Sequence, residues 1–129
     1  MLFVCVHNAG RSQMAEAFTN YYAKSSIGRS AGTVGGKDLN PMAVEAMNEL
    51  GISMESQSPK LLTPELAAWA DRVITMGCGV NADQCSAGFL VSEDWGLDDP
   101  AGQGLDAVRA IRDQIRERVL LLLRDEEVG

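Results

Sequence analysis

Cysteine, histidine and positive charge are all scarce in this chain of 129 residues. Three cysteines argue against a disulfide framework, which belongs to small secreted domains. The single histidine, His7, and the long gap between Cys5 and the pair Cys78 and Cys85 make a poor zinc set, so no metal is expected. Lysine and arginine number 11 against 18 acidic residues, a formal net charge of −7. That balance excludes a nucleic-acid partner, whose phosphates need a basic face. No apolar run approaches the roughly 20 residues of a membrane span. The first residues lack the basic start and small-residue cleavage site of a signal peptide, so the cytoplasm is the expected location. What remains is 46% hydrophobic residues in a length suited to one domain, residues 1–129, with a core that needs no staples.

The chain alternates strand-like and helix-like segments, which predicts an α/β fold with an open, four-stranded parallel sheet and three layers. Leu2–Val6, Arg29–Thr33, Arg72–Met76 and a short Phe89–Ser92 read as strands. Ser12–Ala23 reads as a helix with Met14, Ala17, Phe18 and Tyr21 along one side. Asn40-Pro41 is a cap-and-proline start for a helix through Leu50, stopped by Gly51. Thr63-Pro64 repeats the signal for a helix to Trp69. Leu105, Val108, Ile111, Ile115, Val119 and Leu122 keep helical spacing to Arg124, beyond which Asp125-Glu126-Glu127 is expected to fray.

Two constellations carry chemistry. In Cys5-Val6-His7-Asn8-Ala9-Gly10-Arg11-Ser12 a cysteine ends an apolar strand, an arginine follows six positions later and a helix begins at once. Backbone N–H groups at a helix start bind anions, and the same field favours thiolate over thiol. Arg11 adds a planar, permanently charged fork for two oxygens. A nucleophile thus stands against the anion it would attack, and Val6 to Ser12 form the expected oxyanion loop. Ligands of open α/β sheets sit at the carboxyl ends of strands, where both Cys5 and Cys78 fall.

In the second constellation, Cys78 and Cys85 flank six mostly small or turn-forming residues, short enough to close cheaply into a reversible bridge. Asp98-Asp99-Pro100 precedes the last helix, and a carboxyl group beside a bound oxyanion can donate a proton. Asp99 is the better candidate, its backbone being restricted by the proline.

Together these residues resemble the arsenate reductases built on the low-molecular-weight tyrosine phosphatase fold, across nearly the whole chain. Residues 5–16, Ser30-Ala31-Gly32-Thr33, Val73 to Cys78 and Asp94 to Gly102 match four family signatures in order. The Cys-x5-Arg loop alone would be shared with phosphatases. The resemblance implies a relay. Cys5 attacks arsenate held by Arg11 and the loop, Ser12 stabilises the thiolate, and Asp99 protonates the leaving oxygen. Cys78 then attacks Cys5, releasing arsenite, and Cys85 moves the bridge to Cys78–Cys85 for reduction by an external dithiol, thioredoxin. No bound cofactor and a monomer are implied. Relatives that bind potassium use an asparagine and a glutamate, matched by Asn8 and Glu16, and a carboxylate that Gln57-Ser58-Pro59-Lys60 lacks, so no potassium requirement is expected. The rival readings are a tyrosine phosphatase, a mycothiol-dependent reductase and a non-catalytic thiol sensor or anion-binding module. Ala101-Gly102 after Asp-Pro disfavours the first, since phosphatases place aromatic residues there.

Overall fold

The protein is described from a computed structural model over residues 1–34, 38–77, 93–98 and 100–127. The elements run β1 (Leu2–Cys5), α1 (Arg11–Tyr22), β2 (Arg29–Gly32), α2 (Pro41–Asn48), α3 (Pro64–Trp69), β3 (Val73–Thr75), β4 (Glu93–Asp94) and α4 (Leu105–Glu126). The four strands are all parallel, in the order β2-β1-β3-β4. Successive side chains of a strand point to opposite faces, and β1 shows it. Phe3 and Cys5 join the core under α1, α2 and α4, while Leu2 and Val4 pack with Ala31, Leu62 and Val73 against α3. Phe3, Phe18, Met14 and Met47 are fully buried, each stabilising the fold by about 1.5–3 kcal/mol.

Helix starts follow their chemistry. Asn40 Oδ1 accepts from the N–H groups of Met42 and Ala43, and Thr63 Oγ1 accepts from that of Leu66, each just ahead of a proline. Helix α2 ends before Gly51, whose φ of 75° suits glycine. At that end the buried Arg112 of α4 donates to the Ala46 carbonyl (2.9 Å) and pairs with Glu49, which also binds Arg109. The C-terminal end of α2 is thereby held to α4.

On the expected side of α1, Met14, Ala17 and Phe18 are buried, whereas Tyr21 is 58% exposed and its neighbour Tyr22 packs on the core. The expected strand Phe89–Ser92 lies outside the described residues; among these, the charged Glu93–Asp94 pairs as an edge strand opposite Ile74 and Thr75. One expectation needs correction. The tail does not fray through Glu127. Helix α4 continues to Glu126, which pairs with Arg72. The Glu127 carboxylate accepts from the backbone N–H groups of Lys24 (3.1 Å), Ser25 (2.6 Å) and Ser26 (2.8 Å) and from Ser25 Oγ. Those bonds, from Lys24 and Ser25 first, bring its pKa down to about 2. Acidic residues looked like a solvated end in the sequence, where the folded loop opposite them was not visible.

Candidate active site

The loop between β1 and α1 is built around Cys5, which is buried. Its Sγ lies 2.8 Å from Ser12 Oγ and accepts from the Asn8 N–H at 3.2 Å. Asn8 Nδ2 donates to Ser12 Oγ at 2.7 Å. The hydroxyl thus links the sulfur to the Asn8 side-chain amide, and the Asn8 N–H meets the sulfur from the loop side.

Asn8 sits at φ 55°, in the left-handed region that asparagine tolerates better than most residues. The Gln13 side chain and the Lys60 backbone hold it there. Gln13 Nε2 donates to Asn8 O (3.0 Å) and Oδ1 (2.9 Å), and the Lys60 N–H donates to the same Oδ1 (2.9 Å). Gln57 Nε2 reaches Gln13 Oε1 at 2.7 Å. A run of neutral amides thus links the segment ahead of α3 to the nucleophile. Beside it, the buried Glu16 accepts from Ser30 Oγ (2.9 Å) and lies 3.5 Å from Lys60 Nζ.

Arg11 opens α1 and is buried, with its Nη1 donating to the Leu97 carbonyl at 3.0 Å. Leu97 can lie there because Gly77 has no side chain. A Cβ on Gly77 would stand 2.7 Å from Leu97 N and 2.8 Å from Leu97 O, and its φ is 122°. Gly10 likewise admits Pro100, whose Cγ would be 2.9 Å from a Cβ at that position.

These parts enclose a cavity of about 40 Å³, lined by Cys5, His7, Ala9, Gly10 and Arg11 from the loop and by Asn40, Pro100 and Ala101 outside it. One water needs about 10–15 Å³ on that measure, so the space suits a small oxyanion. The N–H groups of His7, Ala9 and Gly10 have no acceptor among the described residues and are available to it. A larger hollow of about 290 Å³ lies between Met1, Trp69, Arg72 and Glu126, at the amino ends of the strands. Among the described residues no thiol lines it, so the chemistry belongs to the smaller space.

The structure therefore brings together Cys5, Arg11, Ser12 and the loop Val6 to Gly10. Cys78, Cys85 and Asp99 lie outside the described residues, although Gly77, Asp98 and Pro100 beside them are placed. Sequence reasoning missed Leu97, Gln13 and Gln57, and it read Asn40 only as a helix cap. For Asn40 the signal was present, since a polar cap after a strand's carboxyl end stands where ligands bind. Nothing in the sequence marked a backbone carbonyl at Leu97. Among the described residues no group of histidine, cysteine and carboxylate side chains could hold a metal ion, and no helix is long and apolar enough to cross a membrane.

Known proteins share this arrangement. The glutaredoxin arsenate reductase of Synechocystis sp. is 36% identical over 120 residues, 92% of each chain. A solved arsenate reductase in the phosphate binding state superposes with a TM-score of 0.85 at 36% identity, covering 96% of this chain and 95% of that one. The thioredoxin-dependent arsenate reductase of Corynebacterium glutamicum superposes at 0.79 with 38% identity, over 98% of this chain and 61% of that one. A YwlE arginine phosphatase with a phosphorylated active site serine reaches 0.86 at 25% identity, covering 99% and 95%. The model of the low molecular weight phosphotyrosine protein phosphatases matches residues 1–128. The parallel sheet, the cysteine at the end of β1 and the arginine at the start of α1 are thus set in the frame of that family, and the chain belongs to it.

Proposed function

We propose that this protein reduces arsenate to arsenite, with Cys5 as the nucleophile. The observation that carries the reading is the site itself. A sulfur hydrogen-bonded by Ser12 and Asn8 shares with Arg11 a cavity of about 40 Å³ whose outer border includes Pro100 and Ala101. That space accepts a free tetrahedral oxyanion, and among the described residues no phenyl or indole ring lines it to hold an aryl ester. The resemblance to arsenate reductases points the same way.

Cys5 Sγ attacks arsenic and an arsenate oxygen leaves as water, with Asp99 as the proton donor. The Cys78 thiolate then attacks Cys5 Sγ. The S–As bond breaks, its electron pair goes to arsenic, and arsenite departs as a Cys5–Cys78 disulfide forms. Cys85 attacks Cys78, returns Cys5 as thiolate and leaves a Cys78–Cys85 disulfide. An external dithiol, thioredoxin, reduces that bridge. This relay works in the cytoplasm, where thiols are kept reduced, and needs one copy of the chain.

An alkali cation does not fit beside Glu16 and Asn8. Glu16 Oε1 already receives Ser30 and lies against Lys60 Nζ, while Asn8 Oδ1 receives Gln13 Nε2 and the Lys60 N–H. The lysine supplies the positive charge there.

The test is arsenate-dependent NADPH oxidation with thioredoxin and thioredoxin reductase, comparing wild type with Cys85→Ser. Turnover that collapses in the variant supports the relay. Turnover only with glutaredoxin or a small thiol, in both proteins, replaces thioredoxin as the reductant and makes Cys85 a bystander. No arsenate reduction with any thiol, together with hydrolysis of para-nitrophenyl phosphate or phosphoarginine, returns the protein to the phosphatases.

A further inference from the structure

We propose that Asn40 is an oxyanion-binding and specificity-determining residue of this site, an inference that rests on the arsenate reading and extends it. Asn40 precedes α2, far in sequence from the Cys5 loop, yet it lines the same cavity as Cys5 and Arg11. It is fixed there from two sides. Its backbone N–H donates to the Ala9 carbonyl at 2.8 Å, tying the start of α2 to the loop. Its side-chain Oδ1 accepts from the Met42 N–H at 2.9 Å and reaches that of Ala43 at 3.4 Å.

The cap decides what the amide can offer. Because Oδ1 is committed to the helix, the group left over is Nδ2, which has no acceptor among the described residues. Asparagine at this place therefore presents a neutral donor toward an anion, with its orientation set by α2. An aspartate would cap α2 equally well and present a carboxylate oxygen to the anion instead. The residue type thus selects for an anionic guest without adding a second fixed cation to the one Arg11 provides.

Asp and Ser both preserve the cap, so Asn40→Asp and Asn40→Ser separate binding from folding. Inorganic phosphate serves as the probe, read as the concentration that half-protects Cys5 from iodoacetamide at pH 7, beside arsenate KM and kcat. Loss of one hydrogen bond to a charged group raises the half-protecting concentration about tenfold in Asn40→Ser. The added like charge raises it further in Asn40→Asp, and that excess shrinks as salt is added. KM follows the phosphate result and kcat changes little, with melting temperatures unaltered. Phosphate affinity within about twofold of wild type in both variants overturns the role of Asn40 and leaves the reductase reading standing. Weakened phosphate binding in both variants of a protein that reduces no arsenate keeps Asn40 as an oxyanion contact and overturns the reductase reading.

Discussion

Replacing Ser12 with alanine removes the hydroxyl 2.8 Å from Cys5 Sγ and leaves the sulfur the Asn8 N–H at 3.2 Å. A hydrogen bond to a group that is charged as it reacts is worth about 1.5–3 kcal/mol, which is about tenfold or more in rate. Alkylation of Cys5 by iodoacetamide at pH 7 is expected to slow about tenfold, and kcat/KM for arsenate by at least as much. Unchanged protection of Cys5 by phosphate separates loss of this contact from a misshapen loop, which would weaken the oxyanion seat as well. The Asn8 Nδ2 donor, 2.7 Å from the lost oxygen, is left without its partner, so stability falls by about 1 kcal/mol. Equal alkylation rates at pH 7 in wild type and Ser12→Ala would refute the argument that the Ser12 hydroxyl assists the sulfur.

Gly77→Ala places a Cβ 2.7 Å from Leu97 N at a φ of 122°, so unfolding measurements should show a loss of about 3 kcal/mol or more. Arsenate KM should rise with it, since the displaced Leu97 carbonyl holds Arg11; a normal melting curve would count against the contact. Wild-type kinetics should be the same in sodium and potassium chloride. Lys60→Met should cost about 1 kcal/mol, a modest figure because the lysine is 40% exposed, and a strong potassium response of the wild type would contradict the Lys60–Glu16 pairing. Glu127 has its pKa depressed from 4.5 to about 2 in the fold, so its stabilising effect is full above pH 4.5 and is lost as pH falls through 2. Glu127→Gln should therefore narrow the stability difference between pH 5 and pH 2, and an unchanged difference in acid unfolding would remove Glu127 from its place on residues 24–26.

Much of the fold was legible because its signals are local. The alternation of β1, the Asn40-Pro41 and Thr63-Pro64 starts and the apolar spacing of α4 each state their own structure within a few residues. Val108, Ile111, Ile115, Val119 and Leu122 are all buried as that spacing requires. The Cys5 loop was legible for the same reason, since strand, cysteine, arginine and helix stand within eleven residues. What escaped were contacts made only after folding: the Leu97 carbonyl on Arg11, the Gln57–Gln13–Asn8 amides and the seat for Glu127. Each joins segments dozens of residues apart through groups any chain possesses, so no pattern of residue types announces them. The two-residue β4 carries no such signal either, since Glu93–Asp94 pairs as an exposed edge where neither side chain needs to be apolar.

The carboxylate of Glu127, cradled by three consecutive backbone N–H groups, bears on how many anions the molecule can hold. Such a nest accepts anions generally, and this one is filled by a ligand the protein carries on its own chain. A tethered occupant acts at an effective concentration of millimolar order or higher, ahead of any dilute oxyanion in solution. Among the described residues, the anion seat at residues 24–26 is thus already taken by the chain itself, while the Cys5 loop is left to an oxyanion from solution. Removing or neutralising the Glu127 side chain would open the first of these, which the Cys5 thiol does not line.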